Sequence, residues 1–83
     1  MPYFVYILQA DDGTYYIGQT RNLDDRLRRH QSGRSLSTKS RSDWKHIYTE
    51  EYPTRSEAIQ RERQIKARKS RQFVEQLVRT SRA

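Results

Sequence analysis

The sequence has no cysteine, a hydrophobic content of only 33%, and no apolar run near the roughly 18 residues of a membrane span. Without cysteine there is no disulfide framework and no thiolate zinc site. Without a long apolar run there is no membrane-spanning helix. The first residues lack the charged-then-apolar layout of a signal peptide. No internal repeat and no linker divides the 83 residues. These absences lead to the expectation of a soluble, cytoplasmic, single-domain protein spanning residues 1–83. A chain of this size buries only about 60–65% of its unfolded surface, so each polar group turned inward is costly.

Charge and aromatics are what the chain does have. Nine aromatic residues argue against disorder despite the low hydrophobic content. Seventeen Lys and Arg against ten Asp and Glu give a formal charge of +7. The excess is uneven: from Arg61 to Ala83 there are eight basic residues and two acidic ones. Such asymmetry favours a polyanionic partner over a merely solvated surface.

Tyr3 to Gln9 (YFVYILQ) is nearly all apolar and predicts a central strand. Asp11-Asp12-Gly13 signals a turn, and Thr14 to Thr20 (TYYIGQT) completes a hairpin. Asn22 has the character of an N-cap for a helix over Leu23 to Ser32, with Asp24 and Asp25 in its first turn. A polar, basic loop follows from Arg34 to Asp43, then a third strand from Trp44 to Tyr52. Thr54 and Glu57 have the form of a capping box for a second helix, from about Arg55 to Ala67. Ser70 caps a third, whose Phe73, Val74, Leu77 and Val78 make an apolar stripe. The order ββαβαα predicts an α+β fold: a small three-stranded antiparallel sheet flanked by three helices.

Polar groups interrupt the stripes. In the first helix the inward positions 23, 26, 27 and 30 hold Leu, Arg, Leu and His, so Arg26 and His30 share a face with core leucines. In the second, positions 58, 59, 62 and 65 hold Ala, Ile, Glu and Ile. A carboxylate at Glu62 must be paired, hydrogen-bonded or bound to a cation. In the hairpin, a three-residue loop sets Tyr6 opposite Gly18 and Leu8 opposite Tyr16, which puts both tyrosines on one sheet face. A two-residue loop on Asp12-Gly13 would put them on opposite faces. Glycine at the third loop position favours the longer turn. Singly, each residue has an ordinary reading: strand tyrosines, a rim arginine, a helix-end histidine, a structural Glu62–Arg26 ion pair. Together they outline a site.

The same residues carry a resemblance. Val5-Tyr6-Ile7 followed by Tyr16-Ile17-Gly18, then Arg26, His30 and Glu62, resembles the GIY-YIG nuclease signature over nearly the whole chain. The likeness is to the small, stand-alone bacterial members. Phe4, directly ahead of Val5-Tyr6, stands where the family signature opens with glycine, and no asparagine follows Asn22, where some relatives carry one late in the domain. The resemblance implies a metal-dependent endonuclease that hydrolyses phosphodiester bonds in DNA, with RNA less favoured and a role in repair or recombination. Glu62 would be the sole protein ligand of one Mg2+ or Mn2+ ion. Arg26 would steady the phosphate oxygens. Tyr6 would be the general base, its phenol lowered by Arg26 and the metal, with His30 relaying the proton and Tyr16 holding water or phosphate. Lys39, Arg41, Lys45, Arg63, Lys66 and Lys69 would contact flanking phosphates, with weak sequence preference. Trp44 and Tyr48 would either stack on unpaired bases or pack in the core. The rival reading is a nucleic-acid-binding module that keeps the fold without cutting. A weaker one is a basic adaptor that uses the third helix.

Overall fold

The computed structural model describes residues 2–31, 44–68 and 70–81. Six elements run in the expected order: β1 (Tyr3–Gln9), β2 (Tyr15–Thr20), α1 (Leu23–Gln31), β3 (Lys45–Tyr52), α2 (Arg55–Arg68) and α3 (Arg71–Ser81). The strands form one antiparallel sheet in the order β2-β1-β3, so the apolar β1 is central and β2 lies at an edge. The fold is α+β. The polar loop at 34–43 lies outside the described residues, as does Ser32.

Local chemistry accounts for the boundaries. The Asp25 N–H donates to Asn22 Oδ1 (3.1 Å), that of Glu57 to Thr54 Oγ1 (3.3 Å) and that of Phe73 to Ser70 Oγ (3.3 Å), so all three N-caps are used. At the hairpin, the Gly13 N–H donates to the Ala10 carbonyl and the Ala10 N–H to the Thr14 carbonyl, both at 2.9 Å. Gly13 sits at a φ of 90°, which admits glycine readily and side-chain-bearing residues poorly. The loop has three residues, and the expected register follows: Tyr6 pairs with Gly18 and Leu8 with Tyr16.

Strand alternation then divides the core in two. Val5, Ile7 and Ile17 face α2 and α3, meeting Ala58, Ile65 and the Phe73/Val74/Leu77/Val78 stripe. Tyr6, Leu8, Ala10 and Tyr16 face the other way, packing with Trp44 and with Leu23 and Leu27 of α1. The sheet is therefore covered on both sides, α1 on one and α2 with α3 on the other. One irregularity escapes a simple alternating pattern. Leu8 pairs with His46 although Ile7 pairs with Tyr48, which leaves Ile47 as an extra, bulged residue. The bulge lets Ile47 and Tyr48, adjacent in sequence, both pack on the α2/α3 core. Trp44 and Tyr48 are thus core residues; Trp44 is only 6% exposed, which excludes stacking on a base.

Replacing Gly13 with alanine should cost about 1–2 kcal/mol, since its φ suits no L side chain and its new Cβ would meet the Arg71 guanidinium. Urea unfolding measures this; a loss of only a few tenths would mean that the turn does not hold the register.

Candidate active site

The site grows from the hairpin. With Tyr6 opposite Gly18 and Leu8 opposite Tyr16, the two phenols are diagonal neighbours on one face, their ring centroids 6.2 Å apart. Both crowd over Gly18 on the edge strand. A Cβ placed there would lie 2.7 Å from the Tyr6 hydroxyl oxygen and 3.1 Å from the Tyr16 ring, so no larger residue fits without displacing a phenol. Tyr6 is 1% exposed. Tyr16 is half-buried and also meets the Trp44 ring edge-on at 6.2 Å between centroids.

Arg26 arrives from α1. Leu23 and Leu27 seat that face of the helix on the Tyr6 side of the sheet, and Arg26 shares it, half-buried. Arg28 and Arg29 point to solvent, where Arg29 pairs with Asp25 at 3.2 Å. Among the described residues Arg26 has no ion-pair partner. The backbone of His30 is described, one turn on in α1; its ring is not.

Glu62 arrives from α2, with its side chain 19% exposed. Its ion-pair partner is Lys66, one turn on, at 3.5 Å, and not Arg26. The lysine is 55% exposed, so the pair is worth no more than about 1 kcal/mol and yields to a better cation. No group of three or more His, Cys, Asp and Glu side chains forms a metal cage among the described residues. A single recessed carboxylate suits Mg2+ or Mn2+, ions that keep most of their ligands as water or substrate oxygen.

The Tyr6 phenol is where these groups converge. Burial pushes its pKa well above the ordinary tyrosine value, and the neighbouring Tyr16 adds to this. The charge of Arg26 pulls it down and that of Glu62 pushes it up, so residues from helices on opposite sides of the sheet both act on one hydroxyl. A hydrogen bond with Tyr16 also favours the neutral form, as it does when Tyr6 donates and Tyr16 accepts. Of the two charges expected to lower Tyr6, that of Arg26 is outweighed by desolvation within the protein itself.

The basic residues expected to hold flanking phosphates are partly accounted for. Arg63 and Lys66 are exposed on the flank of α2 beyond Glu62, and Arg63 shares a shallow groove with Arg55, Ile59 and Gln60. Lys45 is exposed but sits 3.7 Å from Asp11 of the hairpin turn. Lys39, Arg41 and Lys69 lie outside the described residues. One cluster was missed altogether. Glu50 on β3 accepts from Arg61 Nε (2.8 Å) and Nη2 (3.0 Å) and from the Tyr48 and Tyr52 hydroxyls. The alternation Tyr48-x-Glu50-x-Tyr52 was its only trace in the sequence.

Comparison with known proteins bears on the family and the fold. A model of the GIY-YIG catalytic domain matches residues 2–75. The chain belongs to the GIY-YIG family. Similar proteins include the UPF0213 protein BH0048 of Halalkalibacterium halodurans, 37% identical over 79 residues that cover 94% of this chain and 83% of that protein. The UPF0213 protein SERP0126 of Staphylococcus epidermidis is 38% identical over 65 residues, covering 77% of this chain and 79% of its own. The solution NMR structure of UPF0213 protein BH0048 from Bacillus halodurans superposes with a TM-score of 0.61 at 36% identity, covering 96% of this chain and 85% of that one. The GIY-YIG family comprises nucleases that act on DNA and generally depend on a divalent metal. No helix among the described residues is long and apolar enough to cross a membrane.

Three of the six tyrosines should ionise late: Tyr6, and Tyr48 and Tyr52, which burial and then Glu50 push up to about 12. Folded values above the unfolded value of about 10 mean that their stabilising contribution is intact below that pH and fades as pH rises through about 12. Tyrosinate absorbance followed with urea midpoints should show a late phase that coincides with alkaline unfolding. Six phenols titrating together near 10 in the folded protein would contradict these surroundings.

Proposed function

We propose that this protein is a cytoplasmic, divalent-metal-dependent endonuclease that hydrolyses DNA phosphodiester bonds as one GIY-YIG domain, with weak sequence preference and a role in repair or recombination. The observation that carries the reading is the pair of phenols crowded over Gly18, Tyr6 and Tyr16 with ring centroids 6.2 Å apart, to whose buried member the charges of Arg26 and Glu62 both reach. Pure nucleic-acid binding has no use for a recessed carboxylate in such a cluster.

Arg26, half-buried and without a counter-ion among the described residues, is suited to donate its N–H fork to non-bridging phosphate oxygens as their charge builds. Attack requires water to lose a proton. The burial of Tyr6 and its bond to Tyr16 argue that Tyr16, the better exposed phenol, is the group that accepts it. In this reading Tyr6 donates its hydrogen bond to the Tyr16 oxygen and orients it toward the water. His30, one turn from Arg26, remains the candidate for relaying that proton. Glu62 would hold the metal, which when bound supplies Lewis-acid stabilisation of the phosphate and leaving oxygen. Arg63, Lys66 and Lys45, with Lys39, Arg41 and Lys69, would contact flanking phosphates, so binding should weaken steeply with salt.

The test is purified protein on plasmid, branched and single-stranded DNA with Mg2+ or Mn2+, beside single variants. Glu62→Gln should still bind DNA while cutting falls by about 10³-fold, and Arg26→Ala should lose about 10²–10³-fold. Tyr16→Phe should lose about 10²–10⁴-fold, and Tyr6→Phe, missing one hydrogen bond, only about tenfold. Equal cutting by wild type and Glu62→Gln would end the metal-ligand assignment. A wild type that binds every substrate and cuts none would make the protein a binding module.

A further inference from the structure

The cluster around Glu50 lies on the sheet face opposite the tyrosine pair, yet it touches the residue next to Glu62. At 3.6 residues per turn, Ala58 and Ile65 define the line along which α2 rests on the sheet. Both are fully buried, at 0% and 1% exposure. Arg61 and Glu62 lie about 50° to either side of that line. One flank of the helix is thus tied to β3 and the other carries the acid that acts on Tyr6. The line of contact is narrow and one of its two residues is alanine, which fills little space. Packing alone gives α2 weak resistance to rolling about its own axis.

The Arg61–Glu50 contact supplies that resistance. Two guanidinium nitrogens meet both carboxylate oxygens, at 2.8 and 3.0 Å, with the arginine side chain 25% and the glutamate 16% exposed. A two-point planar contact fixes direction as well as distance, unlike a single bond. The carboxylate is itself held by the Tyr48 and Tyr52 hydroxyls from its own strand, so the anchor cannot swing. A side chain tip stands about 5–6 Å from a helix axis, so a roll of about 10° carries it about 1 Å.

We propose that Glu50, acting through Arg61, is a positioning residue that sets the roll of α2 and thereby the placement of Glu62 against Tyr6. This rests on the nuclease reading of Glu62 and extends it to a cluster that touches neither substrate nor metal. A displacement of about 1 Å at a reacting group costs on the order of 10²-fold in rate, so a clamp on the far face governs turnover without governing DNA affinity.

The test uses Glu50→Gln and Arg61→Lys, which remove the paired charge or the fork with little change of volume, and Tyr52→Phe, which loosens the anchor but leaves the ion pair. For each, kcat and KM on plasmid with Mn2+ are measured, together with methyl NOEs from Ala58 and Ile65 to Val5 and Ile7. The expected result is kcat lowered about 10- to 100-fold in the first two and less in Tyr52→Phe, KM within about twofold, and altered methyl contacts. Folded variants with wild-type kcat overturn the proposal, as does a loss that falls on KM instead. Should the two ion-pair variants fail to fold, wild-type kcat in Tyr52→Phe overturns it and a reduced kcat at unchanged KM upholds it. If the wild type cuts nothing, the nuclease reading falls, and the methyl contacts still decide whether Glu50 sets the roll.

Discussion

A three-residue turn closed by Gly13 sets Tyr6 opposite Gly18, and that pairing places both phenols on the face covered by α1. Slipping the hairpin by one residue would send Tyr6 and Tyr16 to opposite sides of the sheet. Nothing in the tyrosines themselves prevents this. The register is held by the turn, where the Asp12 side chain accepts from the Thr14 N–H at 3.0 Å, and by the Ile7–Ile17 pair packed on the far face. It is also held by the missing side chain at Gly18, since only there can the Tyr6 hydroxyl lie across the edge strand. Apolar packing on one side of the sheet therefore fixes polar chemistry on the other.

Each side of the sheet carries one polar cluster built on tyrosines, and the two differ in how they are satisfied. On the α2/α3 side, burial alone would favour a protonated Glu50, but hydrogen bonds from Arg61, Tyr48 and Tyr52 outweigh it and hold the carboxyl below its usual range. That cluster is closed: donors and acceptors match and the charges cancel. Around the Tyr6 hydroxyl, burial raises the phenol, a half-buried Arg26 from α1 has no ion-pair partner among the described residues, and Glu62 from α2 is matched only to an exposed lysine. A small domain tolerates so open an arrangement when a ligand completes it. Closure suits the one cluster to a scaffold, and openness suits the other to the site proposed for it.

Much of this was legible in the sequence because short-range chemistry decided it. Asn22, Thr54 and Ser70 cap as their residue types suggest, and Gly13 selects the turn. The inward turn of Arg26 and Glu62 followed from helical spacing, and the family from their order along the chain. What could not be read depends on the third dimension. The bulge at Ile47 is defined only by how β3 pairs with β1, and no local pattern in WKHIYTEEY announces it. The lifting of Tyr6 by burial needs the depth of the phenol beneath Trp44 and α1, whereas sequence gives only its neighbours' charges. The partnership of Glu50 with Arg61 spans eleven residues and two elements, so no period joins them.

Helix α2 is where these two readings of the molecule meet. Its inward residues are few, and the positions flanking them hold an arginine and a glutamate where a more stable helix would hold leucines. Taken as packing, this is a poor surface, and a purely apolar replacement would bury more area for each residue ordered. Taken as a device, it follows from the sheet having two occupied faces. One helix must be fastened to the closed cluster and must present an acid to the open one, and adjacent residues about 100° apart are the shortest way for a helix to do both. The sacrifice of apolar contact at 61 and 62 is then the cost of linking the scaffold to the site through a rigid element, with no loop between them to blur the position of the carboxylate.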